Sequence, residues 1–402
     1  MTAQPAAMSP TRANLVLTTL FLGMFVLGSG ELLVVGVLDL IAADLHVTIP
    51  EAGTLVTAYA LGLAIGGPVL AALTIKLDRK AVLVGTLALF VAGNVVAVLT
   101  DDYSVFLVAR VLIGALQGLF IATSFIAGMS VVPPERIGRA IGIIVSGVSV
   151  STALGVPLGT LVGQTLGWRG SFEAIIAITA VVLIATVALI PSVPPAGSGA
   201  GRQARYAFAP RVLAVLFLNF IVFATTFAAL TYVVPFLQDV TGISGGLLSV
   251  FLLAFGVATA VGSFSGGRFA DRDAGRTLVI GSIGIAVSLL VLYFVGAVAV
   301  LVAVALLAWG VFAYGIVPSL QVRVITLAGP GGQLAQSLPV SAANVGIAFG
   351  AFVGGIAIDR HGASATVITG LVFAVITVVV AWVTSVLKPP VVAEPSPVEP
   401  VR

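Results

Sequence analysis

The 402-residue sequence contains no cysteine and only two histidines, His46 and His361. The absence of cysteine argues against disulfide bonds, iron–sulfur clusters and thiol chemistry. Two isolated histidines, both predicted to lie in short loops, argue against a histidine-rich metal site. We therefore expect no metal and no cofactor.

Charged residues are also scarce, at 8% of the chain against a hydrophobic content of 59%. A soluble domain has about 25% charged residues, so this composition excludes a water-soluble globular protein. It predicts a polytopic protein embedded in a lipid bilayer. The net charge of +3 does not indicate nucleic-acid binding, because the basic residues are distributed as membrane topology requires.

Apolar runs long enough to cross a bilayer, about 20 residues each, follow one another along nearly the whole chain. Their breaks at charged residues, proline and glycine predict twelve transmembrane helices, which we number span 1 to span 12. The first run is too long for a cleavable signal peptide, and only Arg12 precedes it. The predicted bounds are 15–42, 52–74, 81–99, 105–131, 137–165, 172–190, 211–237, 246–267, 277–296, 299–322, 334–357 and 364–387.

Lysine and arginine are concentrated on one side of this topology. With the N-terminus in the cytoplasm, fifteen of the eighteen basic residues fall in cytoplasmic segments. The acids Asp44, Glu51, Asp101, Asp102 and Asp239 line the opposite side. Because basic residues favour the cytoplasmic side, we predict a multi-pass protein of the cell membrane with both termini in the cytoplasm.

A polar stretch at 191–210 divides the twelve spans into six and six. Its proline, glycine, alanine and serine content predicts a flexible cytoplasmic linker. The predicted organisation is a cytoplasmic N-terminus at 1–14, a six-helix bundle at 15–190, the linker at 191–210, a second six-helix bundle at 211–387 and a disordered cytoplasmic tail at 388–402.

The two predicted bundles contain related sequences. Three glycines of the first half recur in the second half at a constant offset of 195, as Gly155/Gly350, Gly159/Gly354 and Gly167/Gly362. This repeat favours an all-α fold of two pseudo-symmetric six-helix bundles, which is a common architecture of secondary transporters. No long loop and no GxxxxGK[ST] motif are present for nucleotide binding. Uphill transport would therefore draw its energy from an ion gradient.

Glu31 is a lone carboxylate in the middle of the first apolar run. An ionisable side chain at that depth costs about 3 kcal/mol on insertion scales, and such residues usually face a partner or a water-filled cavity. We interpret Glu31 as a protonatable coupling residue, with a fixed structural ion pair as the alternative. Asp39 is a second candidate, although it lies close enough to the headgroups to be merely solvated.

Arg110 is the only basic residue that lies away from the ends of a predicted span, since Arg139 and Arg211 lie at cytoplasmic ends. At 1.5 Å of rise per residue, its side chain could reach either Glu31 or Asp39. We hypothesise a cycle in which Arg110 pairs with a deprotonated acid and is released by protonation or by substrate. The alternative is a permanent contact between spans 1 and 4.

Several motifs occur in a fixed order along the chain. Span 1 contains GELLVVGVLDLIAADL, span 4 contains RVLIGALQG, span 5 contains GVPLG, and the loop after span 8 reads GRFADRDAGR. Together they resemble motifs of the major facilitator superfamily, and within it the drug:proton antiporters of the arabinose-efflux and chloramphenicol-resistance types. The resemblance implies the major facilitator fold and proton-driven efflux by alternating access, with no cofactor.

Two of these motifs contain candidate gating residues. Gly155, Pro157 and Gly159 are similar to the family's antiporter motif, with ordinary tight helix packing as the alternative. The loop after span 8 is similar to a charged superfamily loop and would act as a conformational latch, with a solvated, topology-setting loop as the alternative. Its candidate residues are Asp271, Arg272 and Arg276.

Uncharged polar side chains within the spans are the candidate substrate contacts. Polar groups in lipid need partners, so each one either contacts substrate or forms a bond between helices. Gln117 and Asn344 rank first, because the resemblance places spans 4 and 11 beside the central cavity. The other candidates are Tyr59, Asn219, Tyr232 and Tyr314.

Few buried charges and many Phe, Leu and Val predict a mostly apolar cavity. Such a cavity suits a small neutral or weakly cationic amphiphile, for example an amphenicol-type antibiotic. Sugar efflux by the same mechanism is the main alternative, although the three tryptophans do not clearly supply aromatic platforms. A channel or a membrane-embedded enzyme is a more distant alternative. We predict a monomeric secondary transporter, not an enzyme, that exchanges its substrate for protons.

Overall fold

The computed structural model describes residues 9–133, 136–193, 208–329, 335 and 338–389. Most of the predicted linker at 191–210, most of the predicted tail at 388–402 and the first eight residues of the predicted N-terminus lie outside these residues. Every regular element in the described part of the chain is helical.

The first half forms spans 1 to 6. Span 1 consists of Pro10–Gly36 and Leu38–Asp44, and span 2 of Ile49–Leu61 and Gly67–Leu73 joined by a π-helical turn at Gly62–Gly66. Span 3 is Arg79–Leu99 and span 4 is Tyr103–Ser130. Span 5 consists of Ile137–Val150, a π-helical turn at Ser151–Gly155 and the first part of Val156–Leu189, and span 6 is the remainder of that helix.

The second half forms spans 7 to 12. Span 7 consists of Pro210–Leu230 and Val233–Asp239, and spans 8 and 9 both lie within Gly246–Val295. Span 10 consists of Ala299–Gly315 and Val317–Ala328, span 11 is Leu338–His361 and span 12 is Ser364–Ser385.

Ten helices in the described residues are long and apolar enough to cross a membrane, and two of them are long enough to cross twice. These two run over 51 and 50 residues, whereas one crossing needs about 20. Each is interrupted by a residue with non-helical dihedrals, Gly167 in the first and Asp273 in the second. The described residues therefore account for twelve crossings of the membrane, and the all-helical architecture confirms the predicted fold class.

Polar caps explain several helix starts that the apolar runs alone placed too late. Span 1 begins at Pro10 instead of residue 15, because Ser9 Oγ accepts a hydrogen bond from Arg12 N and proline occupies the first helical position. Span 4 begins at Tyr103, because Asp102 Oδ1 accepts from the Ser104 backbone N–H at 2.7 Å. These caps are polar contacts, so the pattern of apolar residues does not predict them.

Glycine allows span 5 to pack closely on span 1, and span 11 on span 7. A Cβ atom on any of these glycines would overlap with the facing helix. The contacts are Gly155 on Ser29 and Gly159 on Leu33 in the first half, and Gly350 on Ala224 and Gly354 on Ala228 in the second. Both partners of each contact are shifted by 195 residues between the halves, so the repeated glycines mark repeated packing.

The packing of span 2 on span 4 recurs as the packing of span 8 on span 10. Here the glycines and their partners are shifted by 200 residues. The contacts are Gly62 on Val111 and Gly66 on Ala115 in the first half, and Gly262 on Val311 and Gly266 on Gly315 in the second. The halves are therefore duplicated in their helix contacts as well as in their number of helices.

The antiparallel spans place their connections at two opposite faces. We call one the acidic face, which includes the connections at 45–48, 100–102 and 240–245, and the other the basic face, which includes the connection at 74–78 and the described residues 131–133 and 329. Lys76 lies exposed at the basic face. Span 1 ends at the acidic face, and Asp44 is its last residue.

Candidate functional site

Glu31 lies about 20 Å along span 1 from Asp44, counted at 1.5 Å per residue. Its side chain is half-buried. Gln117 of span 4 donates from Nε2 to Glu31 Oε2 at 2.6 Å. The midplane carboxylate therefore has a specific polar partner and some remaining accessible surface.

Gln117 connects Glu31 to Tyr59 of span 2. The Tyr59 hydroxyl donates to Gln117 Oε1, so the Gln117 amide accepts from one neighbour and donates to the other. Tyr59 and Gln117 are both buried. Because both atoms of the amide group are used, Gln117 holds a fixed orientation between the two side chains.

Arg110 completes this group from span 4 and is fully buried. Its guanidinium lies over the Tyr59 ring, with Cζ 4.0 Å from the ring centroid. It donates to the carbonyl oxygens of Gly30 and Glu31, both at 2.9 Å, and to that of Leu55 at 3.3 Å. Arg110 thus joins spans 1, 2 and 4 through backbone acceptors.

The structure brings together four residues that the sequence analysis nominated separately, Glu31, Tyr59, Arg110 and Gln117, which we call the midplane group. The hypothesised ion pair between Arg110 and a carboxylate is not the arrangement found here. Arg110 binds the backbone carbonyl of Glu31, and the side-chain carboxylate binds Gln117 instead. Its three carbonyl bonds resemble the permanent helix contact that was the alternative hypothesis.

Asp39 does not belong to this group. It lies near the acidic face, where its Oδ2 accepts a hydrogen bond from Gln238 Nε2 of span 7 at 2.8 Å. The two acids of span 1 are therefore bound by glutamines from different halves. Glu31 is bound within the first half, and Asp39 is bound by the second half.

The halves contact each other where spans 2 and 11 meet. The Thr57 hydroxyl donates to the Ala348 carbonyl at 3.2 Å. Gly53 of span 2 lies directly against the Tyr232 side chain of span 7. These contacts lie in the half of span 2 that is nearer the acidic face.

Spans 5 and 8 form a second contact between the halves. A Cβ atom at Gly256 would lie 2.6 Å from the carbonyl oxygen of Thr152 and 2.8 Å from Cα of Ala153. Nearer the basic face, Gly262 and Gly266 of span 8 pack on span 10 of their own half. Gly62 and Gly66 of span 2 likewise pack on span 4 of their own half. The halves therefore meet towards the acidic face and diverge towards the basic face.

Two π-helical turns lie at the spans that form this interface. Each is followed closely by proline, Pro68 in span 2 and Pro157 in span 5. Proline lacks an N–H and its ring clashes with the carbonyl four residues earlier, and π-helical turns accommodate such interruptions. The turn at Ser151–Gly155 places Thr152 and Ala153 against span 8.

The other candidate substrate residues occupy different environments. Tyr314 of span 10 is half-buried and lies within electrostatic reach of Glu31. Asn344 is buried, donates to the Val340 carbonyl of its own helix, and has no partner for Oδ1 among the described residues. Asn219 is buried and donates to the Pro339 carbonyl. Tyr232 is fully buried and its hydroxyl donates to the Ala351 carbonyl at 2.9 Å.

The candidate gating glycines Gly155 and Gly159 pack on span 1 of their own half. Pro157 is buried next to them. In this structure their contacts are those of tight packing within the first half, whereas Thr152 and Ala153, in the turn that ends at Gly155, contact span 8 of the other half.

Asp271, Arg272 and Arg276 are all exposed at the basic face. No ion pair involves these side chains in the part of the chain that the structure describes. The nearby Asp273 caps span 9, since its Oδ1 accepts from the Arg276 backbone N–H at 2.9 Å. This arrangement matches the solvated loop that was the alternative to a latch.

A cluster at the acidic face escaped the sequence analysis. Arg169 forms ion pairs with Asp44 and Asp101 and donates to the Val98 carbonyl at 3.0 Å. Trp168 donates from Nε1 to Asp44 Oδ2 at 3.0 Å. The Trp168 hydrogen bond, together with Arg169, lowers the pKa of the Asp44 carboxyl. The sequence feature that could have predicted this cluster is Arg169, a basic residue on the predicted acidic side of the topology.

A duplicated twelve-span fold with a polar group at the midplane of its first half, whose described residues bring the halves together towards the acidic face, defines a secondary transporter. The chain belongs to the Major Facilitator Superfamily, whose family description matches residues 20–337. It is thus a multi-pass membrane transporter for a small-molecule substrate, not an enzyme.

Similar proteins agree with this assignment. The chain is 34% identical over 361 residues to the MFS-type transporter YtbD of Bacillus subtilis, covering 88% of this chain and 91% of that one. It is 31% identical over 348 residues to a chloramphenicol resistance protein of Streptomyces lividans, covering 81% and 85%. Its fold matches the crystal structure of a bacterial homologue of the human lysosomal transporter Spinster, with a TM-score of 0.81, 16% identity and coverage of 94% and 98%.

Proposed function

We propose that this transporter is a drug:proton antiporter that exports a small neutral or weakly cationic amphiphile in exchange for protons. The observation that carries the proposal is the Glu31 carboxylate at the midplane, half-buried and bonded to Gln117. An ionisable group at this depth is costly unless it has a function or a partner. Gln117 leaves part of the carboxylate free for a proton or a substrate.

Arg110 determines how protonation changes the charge of the site. With Glu31 ionised, the midplane group has a net charge of zero, because the buried guanidinium remains charged. With Glu31 protonated, the net charge becomes +1. A bound proton therefore disfavours a cationic substrate, and a bound substrate disfavours the proton. Such mutual exclusion is what antiport requires.

We infer the direction of proton exchange in this conformation from where the halves meet. They meet near the acidic face at Gly53 and closer to the middle of span 8 at Gly256, which supports exchange of protons between Glu31 and the basic face. Rocking of the halves would then expose the same group to the acidic face. Asp39, at that face, is the second candidate for proton coupling.

The substrate class is inferred from the polar and aromatic side chains of the spans. Tyr314 and Asn344 offer hydrogen-bonding atoms from the second half, with Asn219 as a further candidate. None of the three tryptophans supports a sugar platform. Trp168 belongs to the acidic-face cluster, Trp309 packs on Phe255, and Trp382 is 66% exposed on the outer helix span 12. The similarity to a chloramphenicol resistance protein supports an amphenicol-type substrate.

Reconstitution in proteoliposomes with an imposed pH gradient tests this function. Amphenicols and sugars are added in turn while internal pH is followed with an entrapped dye. We expect amphenicol-dependent proton flux that Glu31→Gln reduces at least tenfold, equivalent to about 1.4 kcal/mol. Glu173→Gln, which removes an exposed carboxylate, should leave the flux unchanged.

Other outcomes identify the alternatives. Proton flux with sugars only would assign the substrate to the sugar class. Full proton-driven transport by Glu31→Gln with unchanged pH dependence would exclude Glu31 as the proton carrier. Solute flux that dissipates a gradient without exchange would indicate a channel.

Membrane orientation and oligomeric state complete the proposal. We propose that the basic face and both termini are cytoplasmic and that the monomer is the functional unit. Because the natural chain contains no cysteine, a single cysteine in place of Lys76 reports on the basic face alone. It should react with an impermeant maleimide only in inside-out vesicles, where the cytoplasmic side faces the solution. Its labelling in right-side-out vesicles would reverse the orientation.

A further inference from the structure

The two oxygens of the Glu31 carboxyl group have different surroundings. Oε2 accepts a hydrogen bond from Gln117 Nε2 at 2.6 Å. Oε1 accepts no hydrogen bond from any residue that the structure describes, and it is not one of the fully buried polar atoms left without a partner. An oxygen that lacks a partner and is not fully buried keeps accessible surface, so Oε1 is the open side of the carboxyl group.

Tyr59 determines which end of the Gln117 amide faces this carboxyl group. Its hydroxyl donates to Gln117 Oε1, and an amide oxygen can only accept, whereas the amide NH2 can only donate. A rotated amide would turn its NH2 towards Tyr59, whose hydroxyl would then need the Leu27 carbonyl as its acceptor. That carbonyl lies 3.5 Å away, beyond the usual range of O–H···O hydrogen bonds. The hydrogen bond from Tyr59 therefore disfavours rotation of the amide.

The Tyr59 side chain is itself held in place. It is fully buried, and the Arg110 guanidinium lies over its ring. Arg110 Nε also donates to the Leu55 carbonyl, one helical turn earlier in span 2. Gly114 of span 4 packs directly against the Tyr59 backbone. Tyr59 cannot turn away from Gln117 without displacing these groups.

This arrangement decides which oxygen of Glu31 binds a proton. A protonated carboxyl group has one O–H donor, and its other oxygen only accepts. An O–H on Oε2 would point at the Gln117 N–H, donor against donor, whereas an O–H on Oε1 leaves the Gln117 hydrogen bond intact. Oε1 is also the oxygen with accessible surface. A proton therefore arrives from water at Oε1 and returns to water from the same atom.

We propose that Tyr59 is a positioning residue for proton exchange, because through the Gln117 amide it keeps an N–H donor on Oε2 of Glu31 and directs the proton to Oε1. The inference rests on the proposed antiport function and concerns how its proton site is controlled. An N–H donor stabilises the ionised carboxylate more than the neutral acid, since hydrogen bonds to charged groups are stronger. Tyr59 thereby helps Glu31 to release its proton, acting through the amide between them.

Two other charged or titratable groups lie near Glu31 among the described residues. They are Arg110 of span 4 and Tyr314 of span 10, both within electrostatic reach of the carboxyl group. Arg110 stays charged at every pH of interest. Both residues are unchanged in the variants below, so a shift in the proton affinity of Glu31 reports on the amide.

Infrared difference spectroscopy measures the protonation of Glu31 without substrate or proton gradient. The carbonyl band of the protonated acid is titrated with pH in nanodiscs and assigned by its loss in Glu31→Gln. Gln117→Met removes the donor and should raise the pH midpoint by about one pH unit, which is tenfold in proton affinity. The carbonyl band should also move to higher wavenumber, because with the proton on Oε1 the carbonyl oxygen is Oε2, which loses its hydrogen bond.

Tyr59→Phe removes one hydroxyl and keeps the amide. The amide is then free to rotate and accept a hydrogen bond from protonated Glu31, so the midpoint should rise by about half a pH unit, roughly threefold in proton affinity. In a Gln117→Met background, Tyr59→Phe should add nothing further, because Tyr59 acts through the amide.

Tyr103→Phe is the matched control. Its hydroxyl also joins span 4 to span 2, at the Glu51 carbonyl, but Tyr103 lies about 21 Å along span 4 from Gln117. A Tyr59→Phe midpoint equal to that of the control would overturn the proposal. So would a Tyr59→Phe shift that persists in full after Gln117→Met, or a carbonyl band that Gln117→Met leaves in place. Should Gln117→Met fail to give monodisperse protein, the midpoint of Tyr59→Phe alone decides.

A failed antiport assay leaves this titration interpretable. If Tyr59→Phe and Gln117→Met shift the Glu31 midpoint but no substrate drives proton flux, the antiport assignment is wrong and the positioning role stands. If Glu31→Gln abolishes coupled flux but the other two variants titrate like Tyr103→Phe, the positioning role is wrong and the antiport assignment stands.

Discussion

The first half places Glu31, Tyr59, Arg110 and Gln117 in contact at the midplane, and at offsets of 195 and 200 the second half has Thr226, Thr259, Gly310 and Val317. Both threonine hydroxyls donate to carbonyls of their own helices, those of Val222 and Gly256. The helix contacts of the halves are repeated, whereas the charged group occurs once. Duplication therefore supplies two bodies with the same helix contacts, and divergence of a few side chains places the charged midplane group, among the described residues, in only one of them.

A similar difference appears at the acidic face. Asp44 and Asp239 are related by the offset of 195. Asp44 is bound by Trp168 and Arg169, whereas Asp239 is exposed. The first half is thus fastened to itself at this face, and the end of span 7 is left to contact its opposite half. The two halves therefore hold corresponding acids of spans 1 and 7 in different ways at this face.

The largest effect that tests this comparison should follow from Arg110→Leu. Loss of the guanidinium removes three hydrogen bonds, to the carbonyls of Gly30, Glu31 and Leu55, and a hydrogen bond from a charged donor contributes about 1.5–3 kcal/mol. It also removes the charge that, in the proposed mechanism, makes protonation and substrate binding exclusive. We expect proton-coupled transport to fall at least about 100-fold and the melting temperature in detergent to drop.

Thr259→Ala is the counterpart in the second half, because Thr259 corresponds to Tyr59 of the midplane group. Its hydroxyl bonds only within its own helix, so transport should stay within about twofold of the wild type. Equal losses for Arg110→Leu and Thr259→Ala would show that both halves contribute to coupling. Retained coupling in Arg110→Leu would remove the basis of the comparison.

The sequence alone supports the fold and half of the midplane group. Glu31 and Arg110 stand out because charge is rare in apolar spans, and the glycine offset reveals the duplication. Tyr59 and Gln117 were candidates only as polar residues in lipid, since nothing in a sequence shows that one amide bridges a phenol and a carboxylate. Proximity between helices distant in sequence is a property of packing.

Two other candidates contact partners that the sequence did not suggest. The hypothesised pairing of Arg110 with a carboxylate stays a hypothesis, and in this structure the guanidinium donates to three backbone carbonyls. Asp39, the second candidate for proton coupling, is bound by Gln238. Charge complementarity predicts partners only where the geometry permits them, and helix positions decide the geometry.

A smaller effect should distinguish the two repeated glycine contacts. Gly350 faces backbone, with a would-be Cβ atom 2.9 Å from Cα and 3.0 Å from C of Ala224, whereas Gly155 faces the side chain of Ser29. Overpacking costs about 1–3 kcal/mol. We expect Gly350→Ala to lower the melting temperature more than Gly155→Ala does.

Only the first-half variant should be repairable. Ser29→Gly removes the opposing side chain and should restore most of the stability of Gly155→Ala, whereas Gly350→Ala has no side chain to remove. Thermal unfolding followed by size-exclusion chromatography measures both. The prediction would be wrong if the two single variants were equally destabilised and Ser29→Gly restored no stability. The two repeated contacts would then tolerate an added methyl group equally poorly.

The smallest effect concerns the acidic-face cluster and its pH dependence. The hydrogen bond from Trp168, together with Arg169, lowers the pKa of the folded-state Asp44 carboxyl. A carboxyl with a lowered folded-state pKa stabilises the fold above its unfolded pKa, which is about 3.9. That contribution is lost as the pH falls through the folded-state pKa. Its size should stay below about 1 kcal/mol, because the Asp44 side chain is 45% exposed and screened by solvent.

Asp44→Asn and Asp239→Asn form the matched pair that isolates this contribution. At pH 7 the Asp44 variant should melt about 1–3 °C below the wild type, as expected for less than 1 kcal/mol in a chain of this size, and the difference should shrink as the pH is lowered towards 3. Asp239→Asn should track the wild type throughout, because its carboxylate is exposed. A stability difference for Asp44→Asn that does not change with pH would assign the cluster to packing of Trp168 instead of charge. Equal behaviour of the two variants would mean that the acidic faces of the halves are electrostatically alike, and the asymmetry would then rest on the midplane group.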